Sequence, residues 1–339
     1  MAIDMTLGAA VLFLLAFTRV GDSLYGPFDG MRWWGAALGY GAFVVAASSL
    51  VRLPLSFWRG HVRERRWGFS TQTARGWLAD RAKGAAVGIV LTALAELGLV
   101  GLARALPSAW PAAAAAAFAL AVLLLSFVAP VVLEPLFNRF RPLADESLAA
   151  ELYALADRAG VPVREVLVAD ASRRTTKVNA YVSGLGRTRR VVLFDTLLER
   201  AAPAEVRLVV AHELGHRRDR HVLQGTLLGM VGAVVSVLVV WAVLGSRAAD
   251  PRQAPLVLLL GLGLELLALA PGSALSRRWE RAADRWSLEL THDLAAFETA
   301  HRELALANLS DLDPPRPVYL LLFSHPTPVE RIAAARASA

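Results

Sequence analysis

Runs of apolar residues long enough to cross a bilayer constrain this chain more than any other feature. A spanning helix needs roughly 20 consecutive, mainly apolar residues. Six such runs are read, at about 5–20, 33–56, 84–104, 111–133, 222–244 and 254–273. The fourth contains "AAAAAAFALAVLLLSFVAPVV", and the sixth carries Glu265 in its middle. The first is short, but it lacks a basic start and a small-residue cleavage site, so it reads as an uncleaved span rather than a signal peptide. Composition agrees: 55% hydrophobic residues and a mean hydropathy of +0.45 are too apolar for an ordinary soluble chain of 339 residues. The expected fold is mainly α, a polytopic helical membrane protein.

Charge orients the spans. The loop at 57–83 holds Arg59, Arg63, Arg65, Arg66, Arg75, Arg81 and Lys83 against Glu64 and Asp80. An excess of Lys and Arg marks cytoplasmic loops, so this loop, the 134–221 segment and the C-terminal tail are expected on the cytoplasmic side. The net charge of +7 therefore belongs to loops beside spans, and a nucleic-acid partner is not expected. The lipid bilayer is the expected partner. Abundant Ala, Arg and Leu with almost no Lys is the composition of a GC-rich bacterial genome, which points to the inner membrane. The chain has no cysteine, which excludes disulfides, iron–sulfur clusters, cysteine nucleophiles and thiolate zinc sites. Any metal has to be held by His, Asp or Glu.

The 134–221 segment reads as soluble. Residues 145–160 have helical periodicity with a Gly stop, and 163–170 look like a strand. "KVNAYVSG" and "RRVVLFDTLL" alternate and flank "LGRT" (185–188), the pattern of a hairpin. A helix then starts at Pro203 and is expected to run on into the fifth span. Two domains follow: an N-terminal membrane domain, 1–134, with four spans; and a second, 135–339, interrupted by a two-span hairpin at about 222–273.

The chemistry is concentrated in "AHELGHRRDRH" (211–221). His212 and His216, four apart, share one helical face, where two imidazoles can chelate one zinc ion at about 2.0–2.1 Å each. Glu213 sits beside them, placed to take a proton from bound water. This is H-E-x-x-H, the zinc-hydrolase signature, although a charged helix end can match it by chance. A catalytic zinc needs a third protein ligand and an open position. The metzincin extension fails, because Asp219 occupies its Gly position and Val222 its last His position. His221, one residue out of register, reads as an interfacial residue where the helix enters the bilayer. "SRRWERAADRWSLEL" (276–290) offers another solution. Glu280 can ligate the metal, and Asp284, four residues on, can accept the outer N–H of a ligand histidine. With Arg281 and Arg285 in the same stretch, a surface helix with spaced charges fits equally well.

With these residues assembled, the sequence resembles the type I CAAX prenyl proteases and their relatives among the membrane gluzincins. Five stretches carry the resemblance in order: the 53–84 loop with its "E…GF…QT…D…K" pattern, "PLFNRFRPLADESL" (135–148), "NAYVSGLGRTRRVVLFDTLL" (179–198), "HELGH" with "ERAAD", and "SHPTPVERI" (324–332). It implies a gluzincin-like catalytic domain with a small sheet, beneath spans arranged around an intramembrane chamber. One zinc ion per chain would be held by His212, His216 and Glu280, with Glu213 as general base and Asp284 behind the ligands. His325 and Arg331 would face the site, binding substrate or stabilising the oxyanion. The strand around Asn179, Ala180 and Tyr181 would pair with an extended peptide. Eukaryotic members have seven spans against the six counted here, so the missing one is expected before Met1.

The expected activity is zinc-assisted hydrolysis of a peptide or protein substrate, lipidated or otherwise membrane-associated. Two rival readings stand beside it. One is a heat-shock-type quality-control protease of damaged membrane proteins. The other is a catalytically silent scaffold or transporter, for which Glu265 inside a span would be suited.

Overall fold

The computed structural model describes residues 2–184 and 189–338. The chain opens with α1 (Ala2–Phe17), α2 (Arg19–Tyr25), α3 (Trp33–Phe57), α4 (Ala74–Ala105) and α5 (Trp110–Val128). After β1 (Phe140–Pro142) come α6 (Glu146–Arg158), β2 (Glu165–Ala169), β3 (Ala180–Ser183) and β4 (Arg190–Phe194). The rest is helical: α7 (Pro203–Arg218), α8 (His221–Leu244), α9 (Ala254–Thr291), α10 (Leu294–Ala307), α11 (Arg316–Leu322) and α12 (Pro328–Ser338).

Five helical stretches are long and apolar enough to cross a membrane among the described residues: Trp33–Arg66, Ala74–Ala105, Trp110–Phe137, His221–Ala249 and Pro251–Thr291. The expected first span differs. α1 bends by 77° against the following Arg19–Phe28 segment, and the count reaches six only if this bent pair is one span. The bend has a local cause. Thr18 caps α2 by accepting from the Val20 N–H at 3.2 Å. The chain then folds back so tightly that a Cβ on Gly21 would lie 1.9 Å from the Leu15 carbonyl oxygen, so only glycine fits.

Two compact units form, one from residues 1–124 and 227–267, the other from 125–226 and 268–339. The first is a helical bundle. Leu99, Ala103, Trp110, Ala114, Val237 and Leu244 build one of its cores, and Leu12, Tyr25, Tyr40, Val44 and Ala254 another. Glu265, which stood out within the apolar run, is exposed, whereas Glu96 on α4 is buried at 5% exposure, its Cβ beside Gly41 of α3.

The second unit holds a four-stranded sheet in the order β1-β2-β4-β3. β2 and β4 run parallel, while β1 and β3 pair antiparallel to β2 and β4. β3 and β4 are the expected hairpin strands; their "LGRT" connection lies outside the described residues. Leu152 and Leu155 of α6, Val191 and Leu193 of β4, and Val206, Val210 and Leu214 of α7 close one core with Leu290 of α9. α6 is capped by Asp145, which accepts from Leu148 N–H at 3.0 Å. α7 starts with Pro203 in its first turn, and Glu205 accepts from the Ala202 N–H at 3.1 Å.

α7 does not run on into the fifth span. It stops at Arg218, and Arg220 takes the left-handed conformation (φ 58°) before α8 begins.

Candidate metal centre

α7 buries Val206, Val210, Ala211 and Leu214 in the core and leaves His212, Glu213 and His216 on the adjoining face. α9 packs against that face at close range. A Cβ on Gly215 would lie 2.9 Å from Trp286 Cδ1 and 3.2 Å from Ala283 Cα. The glycine of "HELGH" therefore has a packing reason: it admits the helix that carries Glu280 and Asp284.

Three side chains converge. The Nε2 atoms of His212 and His216 are 3.1 Å apart. Glu280 Oε2 lies 3.3 Å from His212 Nε2, and Oε1 lies 3.3 Å from His216 Nε2. All three donor atoms fall within 4.8 Å of one another. Ligand atoms about 2.0–2.1 Å from one tetrahedral ion stand about 3.3 Å apart, so this donor set fits a zinc-sized cation. Glu280 is 6% exposed, and its Oε2 is buried without a hydrogen bond. A buried, orphaned carboxylate oxygen facing one imidazole nitrogen, with its partner oxygen against a second, is what a metal site presents. Burial works to raise the Glu280 pKa, but the two imidazoles outweigh it and hold the group ionised, well below the usual carboxylate range.

His212 is oriented from behind. Its Nδ1 is 2.9 Å from Asp284 Oδ1, so Nδ1 carries a proton and Nε2 is the nitrogen placed to hold a cation. Burial works to lower the His212 pKa, but the hydrogen bond to Asp284 and the Glu280 carboxylate close to Nε2 prevail and raise it to about 9 in the metal-free protein. Asp284 is held in turn by Arg331, whose Nε–H donates to Oδ2 at 2.8 Å and whose Nη2–H donates to Oδ1. Arg331 is thus held by Asp284, with its Nη2 3.3 Å from His212 Nδ1 and 3.9 Å from Glu280. His325 stands more open. Its Nδ1 is 2.8 Å from Ser324 Oγ, and its Nε2 lies 3.4 Å from Glu280 Oε1.

His212, Glu280, His325 and Arg331 line a cleft of about 370 Å³ together with Glu213, Asn179, Ala180 and His301. Burial pushes the Glu213 carboxyl above its ordinary value, against the opposing pull of His212 and His216. β3 is the edge strand, and the cleft runs beside it. Asn179 O accepts from the Phe194 N–H at 3.0 Å, so by antiparallel alternation Tyr181 also faces β4, while Ala180 turns its N–H and C=O outward. In this structure Asn179 Oδ1 accepts the Ala180 N–H at 3.0 Å. The Tyr181 side chain belongs to a polar cluster in which Glu134 pairs with Arg190 at 3.2 Å and accepts from Ser183 Oγ at 2.9 Å.

Two histidines at the site were not singled out by spacing. His301 is 5% exposed, donates Nδ1–H to Phe297 O at 2.9 Å and leaves Nε2 unpartnered, 3.9 Å from Asp284 Oδ1. Burial, then Arg331, drives its pKa down to about 4, so it is neutral. His221 is a correction. It is not a surface bystander: it is 7% exposed, its ring stacks on Trp279 with centroids 5.0 Å apart, and its Nδ1 is 2.9 Å from His216 Nδ1.

Known proteins share both halves of the chain. Residues 142–339 match peptidase family M48, and residues 2–139 match the CAAX prenyl protease N-terminal region, described as five membrane helices. An uncharacterized metalloprotease of Bacillus subtilis, YhfN, is 32% identical over 84% of this chain and 70% of its own length. The CAAX prenyl protease 1 homolog of Dictyostelium discoideum is 29% identical over 86% of this chain and 70% of its own. CAAX prenyl protease 1 of Saccharomyces cerevisiae is 33% identical, over 52% of this chain and only 39% of the yeast protein. The crystal structure of S. mikatae Ste24p superposes with a TM-score of 0.82 at 25% identity, covering 89% of this chain and 76% of that one. The chain therefore belongs to peptidase family M48, as an integral-membrane metalloprotease of the CAAX prenyl protease 1 type.

Proposed function

We propose that the chain is a zinc metalloendopeptidase that hydrolyses peptide bonds near the C-termini of membrane-associated proteins. The observation that carries this reading is the convergence of His212 Nε2, His216 Nε2 and the orphaned Glu280 carboxylate on one point beside Glu213. A zinc ion held by those three residues would lower the pKa of its water toward about 7 and polarise the scissile carbonyl.

The chain's own residues then divide the work. Glu213 accepts the proton of the attacking water and passes it to the leaving amine, and its raised pKa suits it to both steps. His325, open to the cleft, donates from Nε2 to the developing oxyanion. Arg331 acts through Asp284 on His212, which makes it a positioning residue rather than an oxyanion donor. The outward N–H and C=O of Ala180 hold an extended peptide by main-chain hydrogen bonds once Asn179 releases that N–H. Main-chain pairing reads side chains little, which suits a protease selecting its substrate by location and lipidation. The basic 57–83 loop supports an orientation with this site on the cytoplasmic face of a bacterial inner membrane.

The test uses the full chain in detergent, native and Glu213→Gln, with zinc measured by metal analysis and cleavage followed on farnesylated and unmodified peptides of one sequence. Both proteins are expected to hold one zinc, with turnover falling roughly 100-fold or more in the variant. A Glu213→Gln protein that still cleaves at the native rate refutes the assignment. Equal cleavage of both peptides moves the substrate class to membrane proteins at large, as in quality control.

A further inference from the structure

His221 makes a strongly built contact at the centre for which neither the zinc motif nor the reaction described above has a use. In a continuous helix, five residues turn the chain by about 500°. That would set His221 about 140° around the axis from His216, facing away from it. The two rings meet only because the chain breaks at Asp219 and Arg220 turns it through the left-handed region, φ 58°. The contact that results is a hydrogen bond, with Nδ1 2.9 Å from Nδ1. The far face of the His221 ring lies nearly parallel to Trp279, at an interplanar angle of 17°. Trp279 immediately precedes Glu280 on α9, so His221 bridges the helix that supplies two donors and the helix that supplies the third.

Proton placement follows from the donor set. If Nε2 of His216 is to face a cation, it has no proton, and the neutral ring carries its proton on Nδ1. Two Nδ1 atoms 2.9 Å apart can bond only if one donates and the other accepts, so His221 Nδ1 is the acceptor. We propose that His221 is a positioning residue for the metal, holding His216 in the tautomer and ring orientation that ligate. The inference rests on the metal-site reading above. The two ligand histidines then differ. His212 is backed by the Asp284 carboxylate, while His216 is backed by a neutral imidazole clamped on an indole.

The experiment measures zinc affinity itself, by competition between a chromophoric chelator and the metal-stripped full chain in detergent. Three variants are compared: His221→Phe, which keeps an aromatic ring on Trp279 but has no acceptor; His221→Asn, whose Oδ1 can occupy the place of Nδ1; and His221→Leu, close to Asn in shape but with no acceptor. Loss of an outer-shell partner typically costs 10–100-fold in metal affinity, which is the expected loss for Phe and Leu. Asn is expected to stay within a few-fold of native. Asn and Leu both lose the stack on Trp279, so any shared loss of folding cancels between them and their difference isolates the acceptor. Equal zinc affinities for the Asn and Leu variants overturn the proposal, as does a Phe variant that matches native. A native chain that takes up no zinc overturns the metal-site reading, and this inference with it.

Discussion

The Asp284–Arg331 pair is where the candidate site and the stability of its unit meet, and Asp284→Asn probes both. Asp284 is 7% exposed and accepts three hydrogen bonds, two from Arg331 and one from His212 Nδ1–H. Burial works to raise its pKa, but Arg331 beside it prevails and keeps it charged, well below the usual carboxylate range. Asparagine has one acceptor oxygen. Whichever way its amide turns, the NH₂ group meets an N–H of Arg331 or of His212, and the buried guanidinium loses its counter-charge. Breaking a buried pair from one side costs about 3–5 kcal/mol. At about 2–4 °C per kcal/mol for a unit of this size, the metal-free protein should melt about 6–20 °C lower. Circular dichroism in detergent reads this directly, with zinc removed so that metal binding does not enter. The control is the cycle with Arg331→Met. The double variant leaves neither charge behind, and it should recover more than half of the loss that additivity of the single variants would give. An Asp284→Asn midpoint within 2 °C of native, or strict additivity in the cycle, would refute the argument that this is a coupled buried pair.

Further outcomes are expected. Zinc at about 100 times its Kd should stabilise the native chain by about 2.7 kcal/mol, a rise of about 5–11 °C in midpoint. Glu280→Gln should abolish that rise, and a Glu280→Gln protein that shifts like native would remove Glu280 from the donor set. In the metal-free protein His212 has its pKa raised from 6.5 to about 9. Its contribution to stability is therefore complete below about pH 6.5 and is lost as the pH rises through 9; a metal-free melting profile flat across that window counts against it. Zinc uptake should strengthen over the same window, because the ligand must shed its proton. Arg220 sits at φ 58°, where a side chain costs about 1–2 kcal/mol, so Arg220→Gly should melt at or above native and Arg220→Val below it.

What could be read from the sequence depended on whether a residue's role follows from regular geometry. His212, Glu213 and His216 were legible because i,i+4 spacing on a helix fixes a shared face before any tertiary structure is known. The same spacing set Glu280 and Asp284 on one helical face but fitted a surface helix equally well; the family resemblance pointed to the site, and the structure brings both beside His212. The apolar runs were legible because bilayer thickness sets their length. Which side of a span is covered is not set by length, so the exposed Glu265 stood out in the sequence while the buried Glu96 did not. The first run was the hard case: its 16-residue helix ends at a threonine cap and a backbone approach that only Gly21 allows, both local features that a hydropathy window averages away.

His221 shows the limit most clearly. The residue was visible in the motif, and the wrong role followed from assuming that α7 continued into the span. On a continuous helix His221 must face away from His216; with one residue in the left-handed region it must face toward it. A single dihedral at Arg220 therefore decides whether the third histidine of "HELGHRRDRH" belongs to the lipid boundary or to the metal centre. Nothing in hydrophobic periodicity reports that dihedral, because arginine is not a residue that signals a positive φ. The packing that supports it is long-range: His221 is held by Trp279, nearly sixty residues away in sequence on the helix that carries Glu280. The break between α7 and α8 is thus part of the site's construction. It ends the helix of the candidate donors where the apolar segment begins and turns the first residue of that segment back onto His216.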